Sequence, residues 1–496
     1  MADIANAYQQ VMRQYKNISV LGEVTSVLFW DQLVMMPPKG LAARSESVAL
    51  IEGLTHKHTV DPAFVENVNL LAANSTELDD DQKVNVREIK RVVDRAVKVP
   101  QELVEEITRQ ASLTHAAWEK ARAASDFAAF APKLQRMVEL QIEKAKALGG
   151  DNPYDVMIDG FEPGATEAQI SEVFAKLRER LVPFVHRITE RPKPDVSMVY
   201  GPTFDTAKQR EFGLSAVKAM GYDFDGGRQD VSVHPFCTGR VGDVRITTRF
   251  VEHDMRQAFF GMMHEAGHAL YEQGQPEAHA HTPLSEHISM AIHESQSRMW
   301  ENMVGRSLPF WKSFYPKARE TFPHLKNVSI EDFYRAINVV EGSLIRVEAD
   351  EATYQLHIIL RFEIESDLIA GRISVNDLPE IWNRKMADYL GVEVPDDAAG
   401  VLQDVHWSEG LFGYFPTYCL GNLYAAQFFA KARKDVPGLD TDFEKGDFSR
   451  LLGWLRENIH RHGKRYSAGE LVERVTGSPL SPDAFMDYLE AKYEKM

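Results

Sequence analysis

The pentapeptide His264-Glu265-Ala266-Gly267-His268 constrains this chain more than any other feature in it. It lies within residues 256–274, where Phe259, Met262, Met263, Ala266 and Leu270 recur at helical spacing and Gly274 and Pro276 supply a stop. On a helix, histidines four residues apart sit about 40° apart in azimuth and about 6 Å apart along the axis. Two imidazoles so placed can share one Zn²⁺. Glu265 borders the same face, from which it can take a proton from a water on the ion. The blander alternative is a buried helix with two hydrogen-bonded histidines.

Bulk properties narrow the class. The chain has 496 residues, enough for one large domain or two or three smaller ones, with 44% hydrophobic and 26% charged residues, as in an ordinary soluble protein. Its net charge of −17 argues against nucleic acid and anionic membranes as partners. The two cysteines, Cys237 and Cys419, point to a reducing, cytoplasmic setting rather than a disulfide framework. The first ten residues lack the pattern of a signal peptide, and no apolar run approaches the ~20 residues of a membrane span.

Most of the chain is expected to be helical. Residues 2–30, 42–55, 79–97, 100–122, 126–148 and 166–190 carry the helical apolar pattern, punctuated at Met35-Met36-Pro37-Pro38, Pro100 and Gly149-Gly150. Arg191-Pro192-Lys193-Pro194 is the best boundary between an N-terminal helical half, 1–190, and a catalytic half, 191–496, within one continuous unit. Residues 230–236 and 243–250 alternate at period two, with Gly239 and Gly242 between them, and are expected to form a β-hairpin just before the HExxH helix. Val244, Ile246, Thr248 and Phe250 would face inward, and Arg245, Thr247 and Arg249 outward. Such an edge can bind an extended peptide, or simply brace the helix.

Catalytic zinc usually has three protein ligands and a water. A histidine six residues beyond His268 is ruled out, because Gly274 stands there. The next helical segment, 284–300, offers Glu286, His287, His293 and Glu294, with Ile288, Ala291, Ile292, Ser295 and Met299 as its packing stripe. Glu294 borders that stripe, and Arg298 at i+4 can orient it or form a solvated pair. Spacing alone leaves the choice among these residues open.

Several short motifs then occur in order: Trp30-Asp31 with Met36-Pro37-Pro38; His234-Pro235-Phe236; Asp243-x-Arg245-x-Thr247; His264-Glu265-x-x-His268; His293-Glu294-Ser295-Gln296; Ile345-Arg346-x-x-Ala349-Asp350; and Gly400-x-x-Gln403-Asp404-x-His406-Trp407. In these the chain resembles the carboxypeptidase Taq family of metallopeptidases, the thermostable carboxypeptidase 1 type, with no departure at a motif position. The resemblance implies that Glu294 is the third zinc ligand. It also implies a mainly α metallopeptidase fold with a long substrate groove and a small sheet, a homodimer, and removal of C-terminal residues from peptides with broad specificity.

Residue chemistry suggests the remaining roles. Glu265 would pass the water proton to the leaving amine. The tetrahedral oxyanion needs a donor beside the ion, and His406 with Tyr414 or Tyr418 lies in a donor-rich segment. The alternative for the tyrosines is core packing with satisfied hydroxyls. The substrate α-carboxylate suits a guanidinium. Arg346, on an expected helix with Asp350 at i+4 to hold it, is the first choice and Arg245 the second. His234 would donate to the substrate backbone or be structural. Co²⁺ or Mn²⁺ could replace Zn²⁺ in such a set. A zinc oligopeptidase cutting internal bonds and an inactive peptide-binding scaffold are the competing functions.

Overall fold

Apolar residues at helical spacing, stopped by Pro and Gly, give long helices. The computed structural model describes residues 2–496. Its N-terminal part is built from helices Ala2–Val34, Leu41–Thr59, Pro62–Ala73, Asp80–Lys98, Gln101–Ala124, Phe127–Leu148 and Glu167–Thr189. All but Pro62–Ala73 match the expected segments within a few residues. Their ends follow from local chemistry. Asp79 with Gln82, and Thr166 with Gln169, form reciprocal capping boxes that satisfy otherwise unpaired N–H groups.

Two apolar clusters hold these elements. One, including Val11, Val68, Leu71 and Ile89, joins the first helices. The larger runs from Ala121 to Tyr493 and includes Ile188 and Val199, on either side of the Pro-rich turn at 191–194. It encloses the HExxH helix Met255–Gln273, the helix Met290–Arg298 and the helix Pro416–Asp435. The expected mainly helical fold with a small sheet beside the HExxH helix is the one found.

The sheet differs in detail from the expected hairpin. Its strands are β1 (Gly227–Val231), β2 (Cys237–Arg240) and β3 (Asp243–Thr248), in the order β1-β3-β2. The hairpin is β2 with β3, registered Cys237 to Ile246 and Arg240 to Asp243. β1 runs parallel to β3, from Gly227 opposite Val244 to Val231 opposite Thr248. Residues 232–236 are therefore a crossing loop, not a strand. The reason is one hydroxyl: Thr247 Oγ1 lies 2.7 Å from Ser232 Oγ and accepts from Phe236 N at 3.0 Å, so the loop wraps around Thr247. Val244, Ile246 and Thr248 are buried as expected, but Thr247 is fully buried too, against the expectation that it faces out.

Candidate active site

The HExxH helix starts at Asp254, whose carboxylate accepts from Arg256 N at 2.9 Å, and ends at Gly274. His264 and His268 are partly buried on its face toward the next helix, and Glu265 is buried. Ser289 caps that next helix by accepting from Ile292 N. It runs Met290–Arg298 and passes into a π-helical turn, Met299–Gly305. Glu286 and His287 precede it in irregular chain, so the expected helix over 284–300 begins six residues late.

Among the four candidates for a third ligand, Glu294 meets both histidines. Its Oε2 lies 3.6 Å from His264 Nε2 and 3.4 Å from His268 Nε2. A tetrahedral ion with zinc–nitrogen bonds of about 2.0–2.1 Å spaces its ligands about 3.3–3.4 Å apart, so the donor set fits such an ion. The other carboxylate oxygen, Oε1, accepts from Arg298 Nε at 2.7 Å. Glu286 is used elsewhere: it ties Tyr15 (2.8 Å), Arg240 (3.2 Å) and Lys464 (2.7 Å) together.

Two glycines bring these side chains together. A Cβ on Gly267 would lie 2.6 Å from the Cα of Ser297 and 2.7 Å from the Gln296 carbonyl oxygen, so the two ligand-bearing helices touch backbone to backbone there. A Cβ on Gly421, in the helix Pro416–Asp435, would lie 2.6 Å from Glu294 Cγ. Any side chain at either position would push the ligands apart.

The ring orientations are set from outside. His264 Nδ1 lies 2.9 Å from Glu301 Oε2, and His268 Nδ1 lies 2.5 Å from His293 Nδ1. Each contact occupies Nδ1 and leaves Nε2 to face Glu294. Burial pushes the Glu294 carboxyl up, but Arg298 and the two imidazoles outweigh this and hold it well below the usual range. Burial drives His268 down to about 3, with His293 adding to the effect, so its ring is neutral. Glu265 is the opposite case: burial lifts its carboxyl to about 7 against the pull of His264.

A second polar group sits beside this one. Arg298 lies 4.6 Å over the Tyr354 ring, and Arg346 Nη1 donates to the Tyr354 hydroxyl at 2.9 Å. Arg346 is buried on a short 3₁₀ turn, Arg346–Glu348, not on the expected helix. Its partner is Asp404, bound through Nε at 3.0 Å and Nη2 at 2.8 Å, and not Asp350. Asp350 instead accepts from Glu341 N, Ala352 N, Thr353 N and Thr353 Oγ1, closing its own turn. Without helical geometry from 346 to 350, the i+4 pairing has no basis. The fully buried Arg361 also binds Asp404, through Nε at 2.7 Å, so two guanidiniums share one carboxylate.

His406, on the turn His406–Glu409, has Nε2 3.5 Å from the Tyr418 hydroxyl. Burial pushes it down to about 4, so the ring is neutral. Its buried Nδ1 has no hydrogen-bond partner among the described residues. Tyr414 and Tyr418 pack edge to face at 5.3 Å, and burial raises both phenols. Arg245 is spent on Asp243, at 2.7 Å through both Nε and Nη2, and lies 4.3 Å over the Trp30 ring. His234 is exposed in the crossing loop, its carbonyl accepting from Ser232 Oγ.

The sequence model of the carboxypeptidase Taq (M32) metallopeptidases matches residues 10–493. The chain belongs to this family. Thermostable carboxypeptidase 1 of Thermus thermophilus is 44% identical over 98% of both chains, and carboxypeptidase 1 of Bacillus subtilis is 41% identical over 97% of both. The crystal structure of an M32 carboxypeptidase from Deinococcus radiodurans superposes with a TM-score of 0.96, at 39% identity over 99% of both chains. The M32 assignment makes the chain a metallocarboxypeptidase, a peptide hydrolase.

Three residues of this M32 site escape the sequence reading: Glu301, Glu272 in its contact with His293, and Asp404 as the partner of Arg346. Glu301 leaves a trace. Glu294, Arg298 and Glu301 form a charged stripe at i, i+4 and i+7, with no other Asp, Glu, Lys or Arg between them. Asp404, 58 residues from Arg346, leaves none in spacing.

Proposed function

We propose that the chain is a cytoplasmic zinc carboxypeptidase that releases C-terminal residues from peptides with broad specificity. The observation that carries this reading is the meeting of His264 Nε2, His268 Nε2 and Glu294 Oε2 beside a buried Glu265. His264, His268 and Glu294 would hold Zn²⁺, which would supply Lewis acidity to a water, with a pKa of about 7 when bound, and to the scissile carbonyl; Co²⁺ and Mn²⁺ suit the same donors.

The chain's own residues do the rest. The Glu265 carboxylate takes a proton from the attacking water and returns it to the leaving amine, a role suited to a group that burial holds near neutrality. The neutral His406 ring and the Tyr414 and Tyr418 hydroxyls serve as donors to the carbonyl oxygen as it gains charge. Arg346 receives the substrate α-carboxylate. In its favour, Arg346 and Arg361 share the single charge of Asp404, which leaves one positive charge unmatched. Arg245 is the weaker choice, since Asp243 neutralises it. Asp350 shapes the turn after Arg346, and His234, exposed on its loop, donates to the substrate backbone. The homodimer rests on the family resemblance alone, and the net charge of −17 opposes nucleic-acid partners.

Mass spectrometry of a peptide digest tests the reading. A free-acid peptide should lose single residues from its C-terminus, and the amidated peptide should resist. Glu265→Gln should keep its metal and lose about 10²–10⁴-fold in turnover. Equal cutting of the amidated peptide at internal bonds would make the chain an oligopeptidase. A protein that holds no metal and cuts nothing would make it a peptide-binding scaffold.

A further inference from the structure

Behind His268 lies a second group of metal-ligand type. Glu272 is one helical turn past His268, His293 precedes Glu294, and His287 is on the irregular chain before that helix. Glu272 Oε1 lies 2.9 Å from His287 Nδ1 and 2.9 Å from His293 Nε2. Among the described residues, this trio and His264/His268/Glu294 both bring three ligand atoms within 4.8 Å of one another. Both are two imidazoles and a carboxylate. Glu272 is buried, whereas the His287 side chain is 40% exposed, which leaves an entry for an ion and its waters. The proposed hydrolysis puts none of the three on its ion or substrate; His293 enters it only as the outer partner of His268.

We propose that Glu272, His287 and His293 form a second binding site for a borderline divalent cation such as Zn²⁺ or Co²⁺, negatively coupled to the catalytic site. The donor set is the one such ions select. The 2.9 Å contacts must open by a few tenths of an ångström to reach the roughly 3.3 Å spacing around a tetrahedral ion. His287, half-exposed and outside any helix, has the freedom to move.

The coupling runs through the two Nδ1 atoms of His268 and His293, 2.5 Å apart. This part rests on the catalytic reading given above. A neutral imidazole carries one N–H. With an ion on His268 Nε2, that hydrogen sits on Nδ1 and is donated to His293 Nδ1. The N–H of His293 is then on Nε2 and points at Glu272. An ion at the second site needs that Nε2 lone pair, so the His293 hydrogen moves to Nδ1 and meets the hydrogen of His268. Two N–H groups cannot face each other at this distance, and His268 loses its outer partner. Loss of such a partner typically lowers metal affinity about 10–100-fold. The coupling is reciprocal, so the catalytic ion weakens the second ion by the same factor.

Equilibrium dialysis of the full chain against buffered Zn²⁺, with metal analysis, tests this on wild type, His264→Ala and His287→Ala. Wild type should bind two equivalents, one tight and one weak. His287→Ala should bind only the tight one, and His287→Asp, which restores a ligand, should recover the second. His264→Ala should keep one equivalent, held about 10–100-fold tighter than the weak ion of wild type. One equivalent in wild type and none in His264→Ala would overturn the second site and leave the catalytic site standing. Two equivalents in His287→Ala would likewise overturn the second site. Two equivalents in His264→Ala would instead overturn the catalytic assignment.

Discussion

Glu301 Oε2 sits 2.9 Å from His264 Nδ1 and 3.1 Å from Arg298 Nη1, so one carboxylate orients a ligand and steadies the arginine that holds another. Glu301→Ala should therefore lower metal affinity about 10–100-fold. Glu301→Gln, which keeps an acceptor oxygen, should recover most of it. Competition against a chromogenic chelator measures both, and an unchanged affinity in the alanine variant would show that His264 needs no orienting partner.

Asp404 is shared by Arg346 and Arg361, and removing its charge leaves two buried guanidiniums with no counter-ion. Breaking a buried pair in this way costs about 3–5 kcal/mol. Asp404→Asn should lose stability on that scale in urea unfolding. Asp350→Asn should lose less, because Asp350 accepts hydrogen bonds from its own turn and from Glu341 N and offsets no buried guanidinium.

Glu265 must be unprotonated to act, so activity is lost as pH falls through its pKa. Burial holds the carboxyl up at about 7, and a divalent cation beside it pulls the value down. The acid limb of kcat/KM should then lie at or below pH 7. A limb clearly above 7 would contradict the assignment of the base.

Glu162 accepts from Ala291 N at 3.2 Å, at the start of the Glu294 helix, and burial raises its carboxyl from 4.5 to about 7. Its folded value exceeds its unfolded one. Its contribution is therefore fully present below pH 4.5 and is lost as pH rises through 7. The charge then costs the fold up to about 3 kcal/mol. Glu162→Gln should flatten this loss, so the Tm difference between variant and wild type should move in the variant's favour from pH 5 to pH 8. A constant difference would mean that Glu162 is ionised throughout.

The HExxH helix and the long N-terminal helices are legible in the sequence because apolar period and capping residues are local properties. What is not legible depends on partners distant in sequence. Period two marks 230–236 as extended, yet it cannot say that Thr247 will draw residues 232–236 into a loop or that β1 will run parallel. The i+4 rule offers Asp350 to Arg346, and the fold supplies Asp404 instead. Glu301 reaches His264 from a π-helical turn, which no apolar pattern announces.

The backbone contact at Gly267 bears on how such a site can change. With Ser297 Cα where a methyl group would have to go, the spacing of the His264, His268 and Glu294 side chains is gauged by main chain against main chain. Repacking of the surrounding apolar residues has little leverage on that gauge. Evolution or design seeking a different ion has its freest hand at the outer positions, Glu301 and His287, where the scaffold is not the ruler.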